Sequence, residues 1–184
     1  MKNYLFILLI CLGCASKKEI VVPKFESKIV SNEKLSCRAI FVDTDKVWLG
    51  MDKGRYGFYD KKKDTLVVKT IQSVSNTTEF RSIAATKDAI FILAVGNPAK
   101  LIKIDKKSLQ ETIVYQEENE KVFYDSMQFV DNLNGFAMGD PIEDCLSFIK
   151  TTDGGNSWEK ISCANLPKVS EGEAAFATSN TNLI

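Results

Sequence analysis

Histidine is absent from this 184-residue sequence. With it go Ser-His-Asp and Cys-His catalysis and the commonest transition-metal ligand. Arginine is scarce as well, at Arg38, Arg55 and Arg81 alone. Lysines and acids are interspersed and balance to a formal charge of zero, so there is no basic stripe with interleaved aromatics to hold a nucleic-acid backbone. No apolar run reaches the ~20 residues that cross a bilayer as a helix. No G-x-G-x-x-G follows a strand, and GMDKG at 50–54 lacks the spacing of a dinucleotide loop, so oxidoreductase chemistry has no residue-level support. Chemistry would have to run on carboxylates, Tyr or Lys. The acid pairs Glu117 with Glu118 and Glu171 with Glu173 read as solvated turn charges. No residue is assigned as catalytic, no metal site is expected and no cofactor is called for.

The first residues, MKNYLFILLICLGC, have one lysine followed by a short apolar run from Tyr4 to Gly13. That is the pattern of an export signal. CLGC at 11–14 resembles a lipobox, with Cys11 where Leu is usual, and implies a signal peptide over 1–13 and lipidation of Cys14. Cys11 and Cys14 form a C-x-x-C only as a by-product of that motif. The polar, lysine-rich stretch over 14–33 reads as a tether. The expected location is the bacterial cell envelope, lipid-anchored on its periplasmic face or cell surface, with the membrane as one partner.

From residue 34 onward the sequence repeats. CRAIFVDTDKVWLGMDKGRYGFYD, starting at Cys37, can be laid over the segment starting at Phe80 and again over the one starting at Tyr124. Each unit has an apolar stretch, a polar turn, a second apolar stretch (VWLG, IFILA, GFAMG) and two more alternating segments, of which TLVVKTI and ETIVYQ are the clearest. Four short antiparallel strands in a period of ~40–50 residues predict an all-β chain of β-propeller blades. The blades are expected to start near 37, 80, 124 and 172, giving a partial propeller over 34–184 with about three and a half blades in an open arc.

TTDGGNSW at 151–158 resembles the Asp box of sialidase-like and BNR-repeat propellers, carried by Thr151, Asp153, Gly155, Ser157 and Trp158. Its expected role is structural: the Asp accepts turn N–H groups, the glycines supply positive φ and the Trp packs on neighbouring strands. FYDKKKD at 58–64 and KIDKKS at 103–108 retain the Asp without the Gly or Trp. Together with the lipobox, the FRSIAA opening and EGEAAFATSNTNL, the run FYDSMQFVDNLNGFAMGDPIEDCLSFIKTTDGGNSW resembles the photosystem II stability/assembly factor-like BNR propeller lipoproteins of Bacteroidetes. Members of that family are roughly twice as long, so the resemblance implies an N-terminal fragment and a binding or assembly scaffold for a protein or glycan ligand. The alternative is a sialidase-like glycoside hydrolase with part of its catalytic set beyond Ile184. That reading needs an arginine triad and a Tyr–Glu pair, and Arg55 does not share the repeat position of the other two arginines.

The first strand of each propeller blade lines the central channel, and one repeat position there carries Arg38, Arg81, Asp125 and Glu173. These residues are either a polar axial surface for an anionic or peptide ligand, or a set paired with acids of neighbouring blades that closes the channel. Cys145 and Cys163 flank the Asp-box turn nearly symmetrically. They are either a cross-strand disulfide, which a Cα separation beyond ~7 Å would exclude, or two small buried hydrophobes. Cys37 is expected to be a free core thiol.

Overall fold

The computed structural model describes residues 23–175. The expected signal peptide over 1–13, the expected lipidation site Cys14 and most of the expected fourth unit therefore lie outside the described residues. Within them no helix is long and apolar enough to cross a membrane.

The repeat becomes three meanders of antiparallel strands, each a four-stranded sheet. Blade 1 comprises β1 (Cys37–Val42), β2 (Lys46–Met51), β3 (Arg55–Asp60) and β4 (Thr65–Thr70). Blade 2 comprises β5 (Phe80–Ala85), β6 (Ala89–Ala94), β7 (Ala99–Asp105) and β8 (Glu111–Glu117). Blade 3 comprises β9 (Tyr124–Phe129), β10 (Gly135–Gly139), β11 (Ser147–Thr151) and β12, of which only Glu159–Lys160 is strand. The inner strands β1, β5 and β9 pack side by side, and the sheets stack face to face. The fold is an all-β open arc of propeller blades.

Stacking decides which residues are apolar. Blade 2 is covered on both faces, and its second strand, AIFILA, is buried from end to end. One core layer joins Trp48, Tyr56 and Phe58 of blade 1 to Ile83, Ile90, Ile92 and Ile102 of blade 2. The other joins Phe91, Leu93 and Leu101 of blade 2 to Tyr124, Met127, Ala137, Ile149 and Trp158 in and beside blade 3. The alternation along each strand feeds the two layers separately. Each fully buried Ile or Leu contributes about 1.5–3 kcal/mol relative to exposure. On blade 1 no described sheet covers the outer face of β1, and Ile40 and Val42 are 59% and 65% exposed there.

Two expectations are corrected. Cys37 is free but exposed, because it lies on that uncovered strand rather than between two blades. The described part of the fourth unit contains no strand; Glu173 sits after a turn, with its carboxylate accepting from Ser170 N at 2.8 Å and its own N–H donating to Ser170 O at 3.1 Å.

Candidate functional site

Arg38, Arg81 and Asp125 occupy one structural position. The β1–β2 ladder steps from Cys37↔Met51 to Ala39↔Gly50, so Arg38 is an extra residue with no partner across the ladder. Phe80↔Ala94 steps to Ser82↔Leu93 and leaves out Arg81. Tyr124↔Gly139 steps to Ser126↔Met138 and leaves out Asp125. A bulge interrupts pairing, bends the strand and re-aims a side chain, and bulges concentrate beside binding sites. Here one recurs at the start of three successive inner strands. Glu173 does not join them, since it is not on a strand.

The three bulge residues differ in surroundings. Arg38 is exposed, Arg81 half-buried and Asp125 buried. Arg81 donates through Nη2 and Nε to Glu79 Oε2 at 2.9 and 3.2 Å, and its guanidinium lies 5.7 Å from the Phe123 ring centroid. Its acid partner is thus two residues away in its own chain segment, not on a neighbouring blade. The ring contact reaches toward blade 3 and holds the guanidinium plane. Arg55 is turned into a local pair with Asp52, so the third arginine stays away from the other two.

The loops at this end of the strands enclose two clefts. One, of about 410 Å³, lies between the chain entering blade 2 and the β6–β7 loop, and is lined by Thr77, Thr78, Glu79, Arg81 and Lys100. The second, of about 440 Å³, lies between the chain entering blade 3 and the β10–β11 loop, and is lined by Glu117, Asn119, Ile142, Glu143 and Lys160. The repeat thus builds the same kind of cleft twice with opposite surplus charge. Arg81 and Lys100 exceed Glu79 in the first, and Glu117 with Glu143 exceeds Lys160 in the second.

Sequence reasoning missed the polar cluster at the second cleft. Glu117 is no solvated turn charge: its Oε2 accepts from the hydroxyls of Tyr115 and Tyr124, each at 2.8 Å. Lys160 Nζ donates to both carboxylate oxygens at 2.8 and 2.9 Å and lies 3.2 Å from Tyr124 Oη. Burial alone would raise the Glu117 pKa, but the Lys160, Tyr124 and Tyr115 hydrogen bonds together hold it below the ordinary value. Burial pushes both tyrosine hydroxyls well above theirs. The i, i+2 spacing of Tyr115 and Glu117 puts them on one side of β8 and was a readable signal. Lys160 arrives from the outer strand of the next blade, which no local pattern shows.

At the opposite end of the strands, turns are tied by aspartates. Asp153 Oδ1 accepts from Asn156 N and Ser157 N at 2.9 and 3.1 Å and from Thr151 Oγ1 at 2.8 Å, and Oδ2 accepts from Ser157 Oγ at 2.7 Å. Hydrogen bonds from Ser157, Thr151 and Asn156 lower its pKa to about 2. Gly154 and Gly155 have φ of 72° and 77°, and the Trp158 ring meets those of Phe129 and Phe91 edge-on at 5.7 and 6.3 Å. In the shorter β3–β4 and β7–β8 turns the carboxylate comes from the last strand residue. Asp60 accepts from Lys62 N and Lys63 N, and Asp105 from Lys107 N and Ser108 N. Cys145 and Cys163 form a disulfide with Cα atoms 5.6 Å apart, closing a sequence separation of 18 around this turn. Glu143, Asp144 and Cys163 place their potential ligand atoms within 4.8 Å of one another, but a sulfur tied in a disulfide offers no thiolate to a metal.

No family model matches the chain, and no curated protein matches it. Solved structures do. The U3-55K structure aligns with TM-score 0.59 and 10% identity over 80% of this chain and 43% of that one. The RRP9 WD40 repeats align at 0.58 and 10% over 76% and 42%. YCF48 bound to D1 peptide aligns at 0.53 and 13% over 68% and 39%. The chain spans less than half the length of each, and identities this low speak to fold alone. The similarity and the three stacked meanders establish that this chain has the β-propeller fold.

Proposed function

We propose that this protein is an exported scaffold, tethered to the envelope membrane through lipidated Cys14, that binds an extended peptide segment of a protein partner on the loop face carrying the bulge residues. A binding role accords with the propeller fold, which presents loops from a rigid frame. The observation that carries the proposal is the recurrence of a bulge at Arg38, Arg81 and Asp125, which leaves the exposed Arg38 and half-buried Arg81 outside the ladder pairing, while Asp125 is buried. Arg81, with Lys100, also lines the cleft that would take a carboxylate. One fold neighbour was solved with a bound peptide, which supports this kind of ligand without identifying it. The TTDGGNSW turn is assigned here as an Asp box with a structural role, because its carboxylate is used up by its own turn.

The hydrolase alternative gains a Tyr–Glu contact, Tyr124 with Glu117, but not in a usable form. Tyr124 is fully buried with its pKa raised, the reverse of an activated nucleophile, and Arg81 lines the other cleft. The test of the scaffold reading is partner capture with Arg38→Glu and Arg81→Glu. Loss of capture with an unchanged melting temperature supports the loop face. Capture that survives both charge reversals overturns it.

A further inference from the structure

The outer strand of blade 3 is short. β4 and β8 each make six register pairs with their neighbours, whereas β12 makes two, Ile149↔Lys160 and Lys150↔Glu159. Beyond it the chain is held by Ile161 N to Phe148 O at 2.8 Å, by Val169 N to Asp144 O at 2.9 Å and by the disulfide from Cys163 to Cys145. Lys160, three residues before Cys163, is the β12 residue that reaches blade 2, through Glu117, while its Nζ also donates to Tyr124 Oη of its own blade. A two-residue strand has little independent stability, and segments with few backbone bonds open locally before the rest of a domain.

We propose that the Cys145–Cys163 disulfide is a redox-sensitive clamp that holds Lys160 against Glu117 and so fixes the wall of the second cleft by an ion pair between blades 2 and 3. Four residues of that cleft, Glu117, Cys145, Lys160 and Cys163, are the clamp and what it holds. Cys163 is half-buried and Cys145 buried, so an incoming thiol meets Cys163 first. The reductant is a dithiol. Its thiolate attacks Cys163 Sγ, the Cys145–Cys163 bond breaks, and Cys145 leaves as a thiolate that takes a proton from water. The second thiol of the reductant, once deprotonated, then displaces Cys163, which also takes up a proton, and departs as part of a cyclic disulfide. Two electrons pass from reductant to protein. The freed segment retains two register pairs and a few isolated bonds, and Lys160 loses its fixed place.

This inference does not rest on the peptide-binding reading, and its test uses no ligand. Backbone hydrogen exchange of the full chain is measured oxidised and after treatment with dithiothreitol. The expected result is exchange at least tenfold faster over 159–169 and measurably faster over 111–117, with β5–β7 unchanged. Tyr115 and Tyr124 should also ionise at lower pH in an ultraviolet titration once the loosened segment exposes their hydroxyls to water. Unchanged exchange over 159–169, or acceleration there with 111–117 unaffected, overturns the clamp. So does loss of protection across β5–β7, which would make the bridge a global staple. In the oxidised chain Lys160→Met should loosen 111–117 and leave 161–169 protected; no change at 111–117 overturns the proposal.

Discussion

Gly155→Ala is the substitution whose cost can be worked most directly from the geometry. Gly155 has φ of +77°, and an added Cβ would lie 2.3 Å from Phe91 Cε1 and 2.4 Å from Cζ. The left-handed backbone costs a non-glycine residue about 1–2 kcal/mol. Phe91 is fully buried between blades 2 and 3, with Phe129 and Trp158 against it, so its ring has no free direction in which to yield. Overpacking of that kind adds about 1–3 kcal/mol. The neighbour supplies a control: Gly154 has φ of +72°, but a Cβ there would approach only Asn132 O, at 3.0 Å. Gly154→Ala should therefore show mainly the backbone cost. Urea unfolding followed by tryptophan fluorescence is expected to place Gly155→Ala about 2–5 kcal/mol below the parent and clearly below Gly154→Ala. Equal losses for the two variants would refute the claim that this turn is packed into the interface between blades.

Removing the bridge with Cys145→Ala and Cys163→Ala should cost about 3 kcal/mol by the loop-closure estimate for a separation of 18, read as a lowered urea midpoint in the double variant. Asp153 has a folded-state pKa near 2, below the ordinary carboxylate value of about 4, so its stabilisation is complete above about pH 4 and is lost as pH falls toward 2. Asp153→Asn should flatten that part of the stability profile, and an unaltered acid limb would count against the assignment. Glu143 and Asp144 beside Cys163 should repel anionic thiols. Cysteamine is then expected to reduce the bridge severalfold faster than 3-mercaptopropionate at low salt, with the gap closing at high salt.

What the sequence revealed and what it hid divide along a physical line. Alternation within TLVVKT and ETIVYQE, Asp-rich turns and the spacing of the units are local signals, and they were enough to recover the four-stranded meander and its repetition. The shared position of Arg38, Arg81 and Asp125 was also legible, because a repeat carries its irregularities along with its strands. Contacts between blades were not. Lys160 meets Glu117 only because sheets stack at a particular offset, and Arg81 meets Phe123 for the same reason. Cys37 was misplaced because burial on an inner strand depends on a neighbouring blade, and β1 has only one among the described residues. Glu173 was placed on a strand by the repeat, but among the described residues it follows the turn at 171–172, and the rest of that unit lies outside them.

Peptide binding at the loop face is best tested by panning a random peptide display library against the folded chain. The enriched peptides are then measured by anisotropy against three variants: Arg38→Glu, Arg81→Glu and, on the opposite turn face, Lys107→Glu. Carboxylate-bearing extended peptides are expected, with affinity that falls at least tenfold with Arg81→Glu, falls less with the more exposed Arg38→Glu and is unchanged with Lys107→Glu. Peptides that bind all four proteins equally, or that lose affinity only with Lys107→Glu, would contradict the proposal and move the binding surface off the loop face.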